Sequence, residues 1–287
     1  MDGSRRLAWL EDYAASVAAS GDLPLPAALR RGVRLDHVSF AYPGTSRVVL
    51  DDVSVTLPAG AVVAIVGENG AGKTTLVKLL AKMYEPSSGS ILVDDTPLAR
   101  LSAIEWRACL AGAFQDFFRF EFRARHTVGL GDLLRLDDEP AVVAAVDRAG
   151  AADVVTRLTS GLDTQLGPTW PCGVELSFGQ WQKLALARGF MRDQPLLLVL
   201  DEPTAALDAE TEHALFERYA AAARGTGESD SGRITILVSH RFSTVRMADL
   251  IVVLDGARLV EVGTHEELMA KIGLYSELYG IQAAAYR

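Results

Sequence analysis

Apolar and polar positions change period several times along the chain, and each change marks an element. Residues 5–20 (RRLAWLEDYAASVAAS) space their apolar positions as a helix does, and GDLPLP then breaks the pattern as a linker. The runs VRLDHVSFAY and VVLDDVSVTL read as two strands of a small antiparallel layer, and AVVAIV as a buried central strand. The pattern switches abruptly to helix at KTTLVKLLAKMY. Helical patterning dominates residues 117–175, most clearly in EPAVVAAVDRAGAADVVTRL, and predicts an inserted helical subdomain over about 117–192. Strand rhythm resumes at LLLVLD and, after a helix from about 209, at ITILVSH; the intervening RGTGESDSGR reads as a polar loop. Near the end, THEE offers a capping box with Thr264 as N-cap and Glu267 three residues on. Strands alternating with helices imply an α/β fold on a mainly parallel sheet, with ligands at the carboxyl ends of its strands. There is no internal repeat and no coiled-coil arm.

Composition narrows the class only slightly. The 287 residues, 49% hydrophobic and 23% charged, suffice for one large domain with a sizeable core. A net charge of −9 argues against nucleic acid as a partner, because phosphate backbones want basic surfaces. The apolar runs are strand-sized, far from the ~20 residues that span a bilayer, and Met1 is not followed by a secretory signal, so the chain alone is expected to be soluble. Cys109 and Cys172 lack metal-ligand spacing and read as reduced thiols whose default role is packing.

The chemistry is concentrated after AVVAIV. Gly67-Glu68-Asn69-Gly70-Ala71-Gly72-Lys73-Thr74 satisfies G-x-x-x-x-G-K-[ST] between a strand and a helix, and Thr75 follows inside that helix. Its glycines let backbone N–H groups turn inward around phosphate oxygens, Lys73 reaches the β- and γ-phosphates, and the Thr74 hydroxyl suits Mg²⁺. A glycine-rich turn with a chance lysine is the bland alternative; the strand before and the helix after argue against it. The segment is expected to bind a nucleoside triphosphate. Asp201 ends the apolar run LLLVL, where a carboxylate is costly unless it serves a charge such as Mg²⁺, and Glu202 stands one residue further out, able to polarise an attacking water. A second anion-shaped segment, LSFGQ at 176–180, opens the helical run QWQKLALARGFM.

Together these residues resemble the nucleotide-binding domain of ATP-binding-cassette (ABC) transporters over about residues 33–275. LSFGQ resembles the family signature LSGGQ, Gln115 in AFQD the Q-loop glutamine, Ala206-Leu207-Asp208 the D-loop, His240 in ILVSHR the H-loop histidine, and Tyr42 in VSFAYPG the aromatic that stacks on adenine. The resemblance implies a P-loop NTPase core with a mainly parallel sheet, an antiparallel β subdomain and an inserted helical subdomain. It implies ATP and Mg²⁺ as ligands: Lys73 and Thr74 on phosphate and metal, Asp201 on Mg²⁺ through water, Gln115 sensing metal and water, Glu202 as general base, and His240 on the γ-phosphate. It also implies a partner, since two cassettes of this family pack head to tail. Ser177, Gly179 and Gln180 of one chain then close over the ATP on the other, and Asp208 shapes the opposing site.

The run DFFRFEFRARHTVGLGD after Gln115 aligns without gaps on the exporter-type pattern QDTFLFSGTIRENIALG, with Phe118 and Phe120 on its hydrophobic positions. These aromatics read either as a surface for the coupling helix of a transmembrane domain or as a core cluster. Residues 1–32 resemble the end of a transmembrane domain and its linker, and 33–287 the cassette, placing the chain at the cytoplasmic face of the cell membrane as part of an exporter-type half-transporter. Two departures stand out: Phe178 replaces the middle glycine of the signature, and GPTWPCGVE lacks the usual GERG, leaving Glu175 as a possible substitute. A regulatory subunit of a heterodimeric transporter, a soluble non-transport ABC ATPase and an importer cassette are the competing readings. Cargo and homo- or heterodimeric pairing are not legible.

Overall fold

The computed structural model describes residues 21–114, 116–201, 232–239 and 241–285. Gln115, Glu202, Asp208, His240, the helix expected over 5–20 and that expected from about 209 lie outside the described residues.

Strands β1 (Gly32–Ala41), β2 (Val48–Pro58), β4 (Ser88–Val93) and β5 (Thr96–Pro97) form an antiparallel sheet in the order β2-β1-β4-β5. Its β1–β2 ladder slips between Leu35 and Val38, and His37 there takes a left-handed φ of 51°. A second sheet has the order β10-β9-β3-β8-β7-β6, built from β3 (Val62–Gly67), β6 (Leu110–Ala113), β7 (Leu197–Asp201), β8 (Ile234–Val238), β9 (Leu250–Asp255) and β10 (Arg258–Gly263). Its strands run parallel except for β10, which pairs antiparallel with β9. The continuous apolar runs of β3, β7 and β8 fit their place inside this sheet, since a strand covered on both faces needs no polar alternation.

Three apolar clusters hold these layers together. One packs β1, β2 and one face of β3 onto α1 (Lys73–Leu80). A second lies among helices from between β6 and β7: α3 (Ala124–Gly129), α4 (Glu139–Arg148), α5 (Ala152–Thr156) and α6 (Phe178–Gly189). The third sets the other face of β3 against α7 (Phe242–Val245), α8 (His265–Lys271) and α9 (Leu274–Ala285). Before β6, α2 (Ala103–Ala108) buries Trp106 fully, and the indole N–H donates to the Leu80 carbonyl at 2.8 Å.

The helix expected across KTTLVKLLAKMY stops at Leu80. Lys82 bends into a left-handed φ of 51°, and its ammonium donates to the carbonyls of Leu98, Ala99 and Leu101. Three carbonyls satisfy all three protons of a nearly buried amine, which is how such a group is tolerated. The linker is pinned by side chains distant in sequence. Arg100 grips Asp22 through two hydrogen bonds, and the Asp94 carboxylate accepts the N–H groups of Arg30, Arg31 and Gly32 at 2.7–2.8 Å. Thr264 and Glu267 form the expected capping box at the start of α8.

Candidate functional site

β3 delivers the chain to the phosphate loop at the carboxyl edge of the parallel sheet. Gly67 adopts φ 147°, and a Cβ there would lie 2.1 Å from the Leu254 carbonyl oxygen on the neighbouring strand. Only glycine permits that approach. Gly72, at φ 103°, caps α1 where a side chain would meet the Val49 carbonyl at 2.7 Å. The outer side of the loop is therefore pressed against β2 and β9.

Lys73 begins α1 and is nearly buried; its ammonium donates to the carbonyls of Gly67 at 2.9 Å and Glu68 at 3.0 Å. Those contacts span the loop. A cleft of about 410 Å³ opens beside them, lined by Tyr42, Thr45, Arg47, Val49, Asn69, Gly70, Gly72, Lys73, Thr74 and Thr75. Its chemistry suits a nucleoside triphosphate. The amino end of α1 and two cations favour phosphate, and an aromatic ring offers a flat apolar wall. The Tyr42 hydroxyl bonds the Thr75 hydroxyl at 3.0 Å, while Phe40 and Tyr84 pack edge-on against its ring, which fixes the plane it presents. Glu68 and Ala71 line an adjoining cleft of about 380 Å³, which Arg47 also enters. Arg47 and Thr45 were not singled out in the sequence; the signal was a polar, basic turn immediately after the aromatic.

Asp201 ends β7 and is 1% exposed. β8 separates β7 from β3, so its carboxylate sits about two strand spacings, or about 10 Å, along the same edge. A carboxylate this buried and the partly exposed Thr74 hydroxyl are both hard oxygen donors, so the residues present fit Mg²⁺. Beyond β8, Ser239 Oγ accepts the Arg241 N–H at 3.0 Å, and the Thr244 hydroxyl donates to the Arg241 carbonyl at 2.7 Å. Gln115, Glu202, Asp208 and His240 remain sequence expectations.

The second phosphate-like segment stands apart. Ser177 N-caps α6: its hydroxyl accepts the Gln180 N–H at 3.3 Å, and the Gln180 side-chain oxygen accepts the Ser177 N–H at 2.8 Å. Ser177 is exposed, Gly179 and Gln180 are half-buried, and none of them lines either cleft. Phe178 is 52% exposed, lies 5.5 Å from the Phe117 ring and carries the Arg119 guanidinium over its face at 5.6 Å. Phe118 is 70% exposed and packs on Phe120, whose face receives Arg188. Phe118 and Phe178 are surface residues, while Phe117 packs against the core among the helices.

The segment before the signature is organised by Glu121 and not by Glu175, which is exposed. Thr169 donates to the Glu121 carboxylate, Gln165 donates to its backbone carbonyl at 2.8 Å, and Gly167 lies directly against its side chain. Cys172 is exposed, so the packing expected of the cysteines falls to Cys109, whose thiol burial pushes above its ordinary pKa.

The ABC transporter family model matches residues 50–205. The chain is 41% identical over 256 residues to an ATP-dependent lipid A-core flippase of Pseudomonas fluorescens (strain Pf0-1), covering 88% of this chain and 41% of that protein. It is 42% identical over 253 residues to one of Burkholderia pseudomallei (strain 1710b), covering 87% and 40%. It thus spans about two fifths of the length of these relatives. A solved bacterial Atm1-family ABC exporter with ATP bound superposes with a TM-score of 0.77 at 33% identity, over 96% of this chain and 47% of the other.

Proposed function

This chain belongs to the ABC transporter family, and we propose that it is the ATP-hydrolysing cassette of an exporter-type half-transporter. On this reading it works as one of a pair at the cytoplasmic face of a membrane. The phosphate loop and Lys73 bind the phosphates of ATP, and Tyr42 stacks on its base. Thr74 and Asp201, with Gln115, would hold Mg²⁺, which when bound neutralises charge on the phosphate oxygens. Glu202 accepts a proton from the attacking water as the γ-phosphoryl group leaves ADP, and His240 grips that group.

The observation that carries the pairing is the position of the signature. Ser177 stands exposed and capped on α6, and neither cleft beside the phosphate loop takes any lining from residues 177–180. A segment shaped for phosphate but away from its own chain's cleft is useful to another chain's ATP. Ser177, Gly179 and Gln180 would then complete the partner's site and Asp208 would shape it, so ATP joins two cassettes and hydrolysis releases them. The exposed Phe118, packed on the half-buried Phe120 whose face receives Arg188, is the surface for a transmembrane domain. No described helix is long and apolar enough to cross a membrane. The relatives named as lipid flippases and the exporter superposition support the export direction. A net charge of −9 fits a protein that does not bind nucleic acid.

Complementation tests the shared site. Lys73→Ala and Ser177→Arg should each lose ATP hydrolysis alone. Mixed in equal amounts they should recover about a quarter of the wild-type rate, because half the dimers then hold one intact site of two. No recovery from two folded variants would contradict a site built across chains.

A further inference from the structure

The carboxy-terminal helix α9 has no role in the reading above, yet it touches the turn that follows β8. Arg241 is the N-cap of α7 and supplies no side-chain cap. The first N–H of that helix, on Phe242, instead donates to the Gln282 side-chain oxygen at 2.8 Å, across 40 residues of sequence. The Phe242 ring meets Tyr275 at 5.4 Å and Tyr279 at 5.5 Å, both edge-on. One residue is thus held by α9 through its backbone and its ring together.

The helix that does this is itself fixed. The Glu261 carboxylate on β10 accepts the N–H groups of Leu274 and Tyr275 at 3.1 and 3.0 Å, where a carboxylate also complements the helix dipole. Tyr275 is fully buried, and its hydroxyl bonds His265 Nδ1 on α8 at 2.8 Å. From its anchored start α9 reaches Gln282 about two turns on. Its apolar residues Tyr275, Leu278 and Tyr279 pack with Val62, Ala64 and Val66, the face of β3 opposite α1. The strand that carries the phosphate loop and the turn after β8 therefore share one strut.

We propose that α9 is a positioning element for hydrolysis, with Gln282, Tyr275 and Tyr279 fixing the Phe242 turn and through it the reach of the chain at the end of β8. This rests on the role proposed above for His240, two residues before Phe242 in sequence. Gln282 acts through the backbone of the Phe242 turn. Placement errors of this kind slow the chemical step while leaving ground-state binding intact.

The test is steady-state ATP hydrolysis by Gln282→Ala and Gln282→Glu, with ADP affinity and melting temperature measured alongside. Alanine favours helix, so the first substitution removes the hydrogen-bond acceptor without weakening α9. One neutral hydrogen bond corresponds to roughly a fivefold fall in kcat. KM for ATP and affinity for ADP, which lacks the γ-phosphate, should hold within about twofold, and Glu, which keeps the acceptor, should restore kcat. An unchanged kcat in Gln282→Ala, a fall matched by losses in KM and melting temperature, or no rescue by Glu would overturn the inference. Wild-type protein unable to hydrolyse Mg-ATP would instead remove the ATPase reading, and this inference with it.

Discussion

Lys73 reaches across its own loop to the carbonyls of Gly67 and Glu68, so its charge already lies inside the curl that would receive phosphate. A charge held in place costs little reorganisation when the ligand arrives. Charge-assisted hydrogen bonds contribute about 1.5–3 kcal/mol each, so Lys73→Ala should weaken ATP binding by about 10²-fold at the upper end of that range. Titration with a fluorescent ATP analogue reads this directly, and affinity retained within about twofold would contradict the assignment of the loop. At this scale the sequence was highly legible. Spacing alone placed Gly67, Gly72 and Lys73, because a loop around phosphate tolerates few alternatives. Arg47 was not legible, since its place in the cleft comes from how the β1–β2 turn folds over the loop.

Elements were legible where a pattern is local and illegible where a contact is not. The buried strands, the antiparallel layer and the capping box at Thr264 follow from runs of ten residues or fewer. The early end of α1 does not, because it depends on Lys82 finding carbonyls 16 to 19 residues away. The grip of Asp94 on the chain entering β1 is of the same kind, at a separation of 62 to 64 residues. Burial raises the pKa of that carboxyl, but the three backbone N–H groups of Gly32, Arg30 and Arg31 outweigh it and hold the pKa below the ordinary carboxylate range. A depressed folded-state pKa contributes stability that is present above the unfolded value and lost as pH falls through the folded one. Asp94→Ala should therefore cost about 1.5–3 kcal/mol near neutral pH, the range for hydrogen bonds to a charged group, with the difference shrinking as pH falls below about 4. Denaturant unfolding at pH 7 and pH 3 checks both the size and the sign; an equal loss at both would mean the carboxylate charge is not what holds the linker.

Across the whole molecule, two segments suited to phosphate lie on different parts of one chain. One closes β3 and is walled by the antiparallel sheet; the other starts α6, among the helices that precede β7. That arrangement is what the proposed pair of chains requires, each lending its signature to the other's ATP. The exposed Phe178, where the family signature has glycine, joins α6 to the Phe117–Phe122 patch and ties the signature to the surface proposed for a transmembrane domain. The sequence displayed both segments, but their separation in space needed the fold.

The most direct measurement is the solution mass of the Glu202→Gln variant, with Mg-ATP and without nucleotide, alongside a direct measure of bound ATP. If Glu202 is the general base proposed above, its loss slows hydrolysis by about 10²–10⁴-fold, so the ATP state persists long enough to weigh. The account predicts a monomer without nucleotide and a dimer with Mg-ATP. A variant that binds ATP and stays monomeric would contradict it.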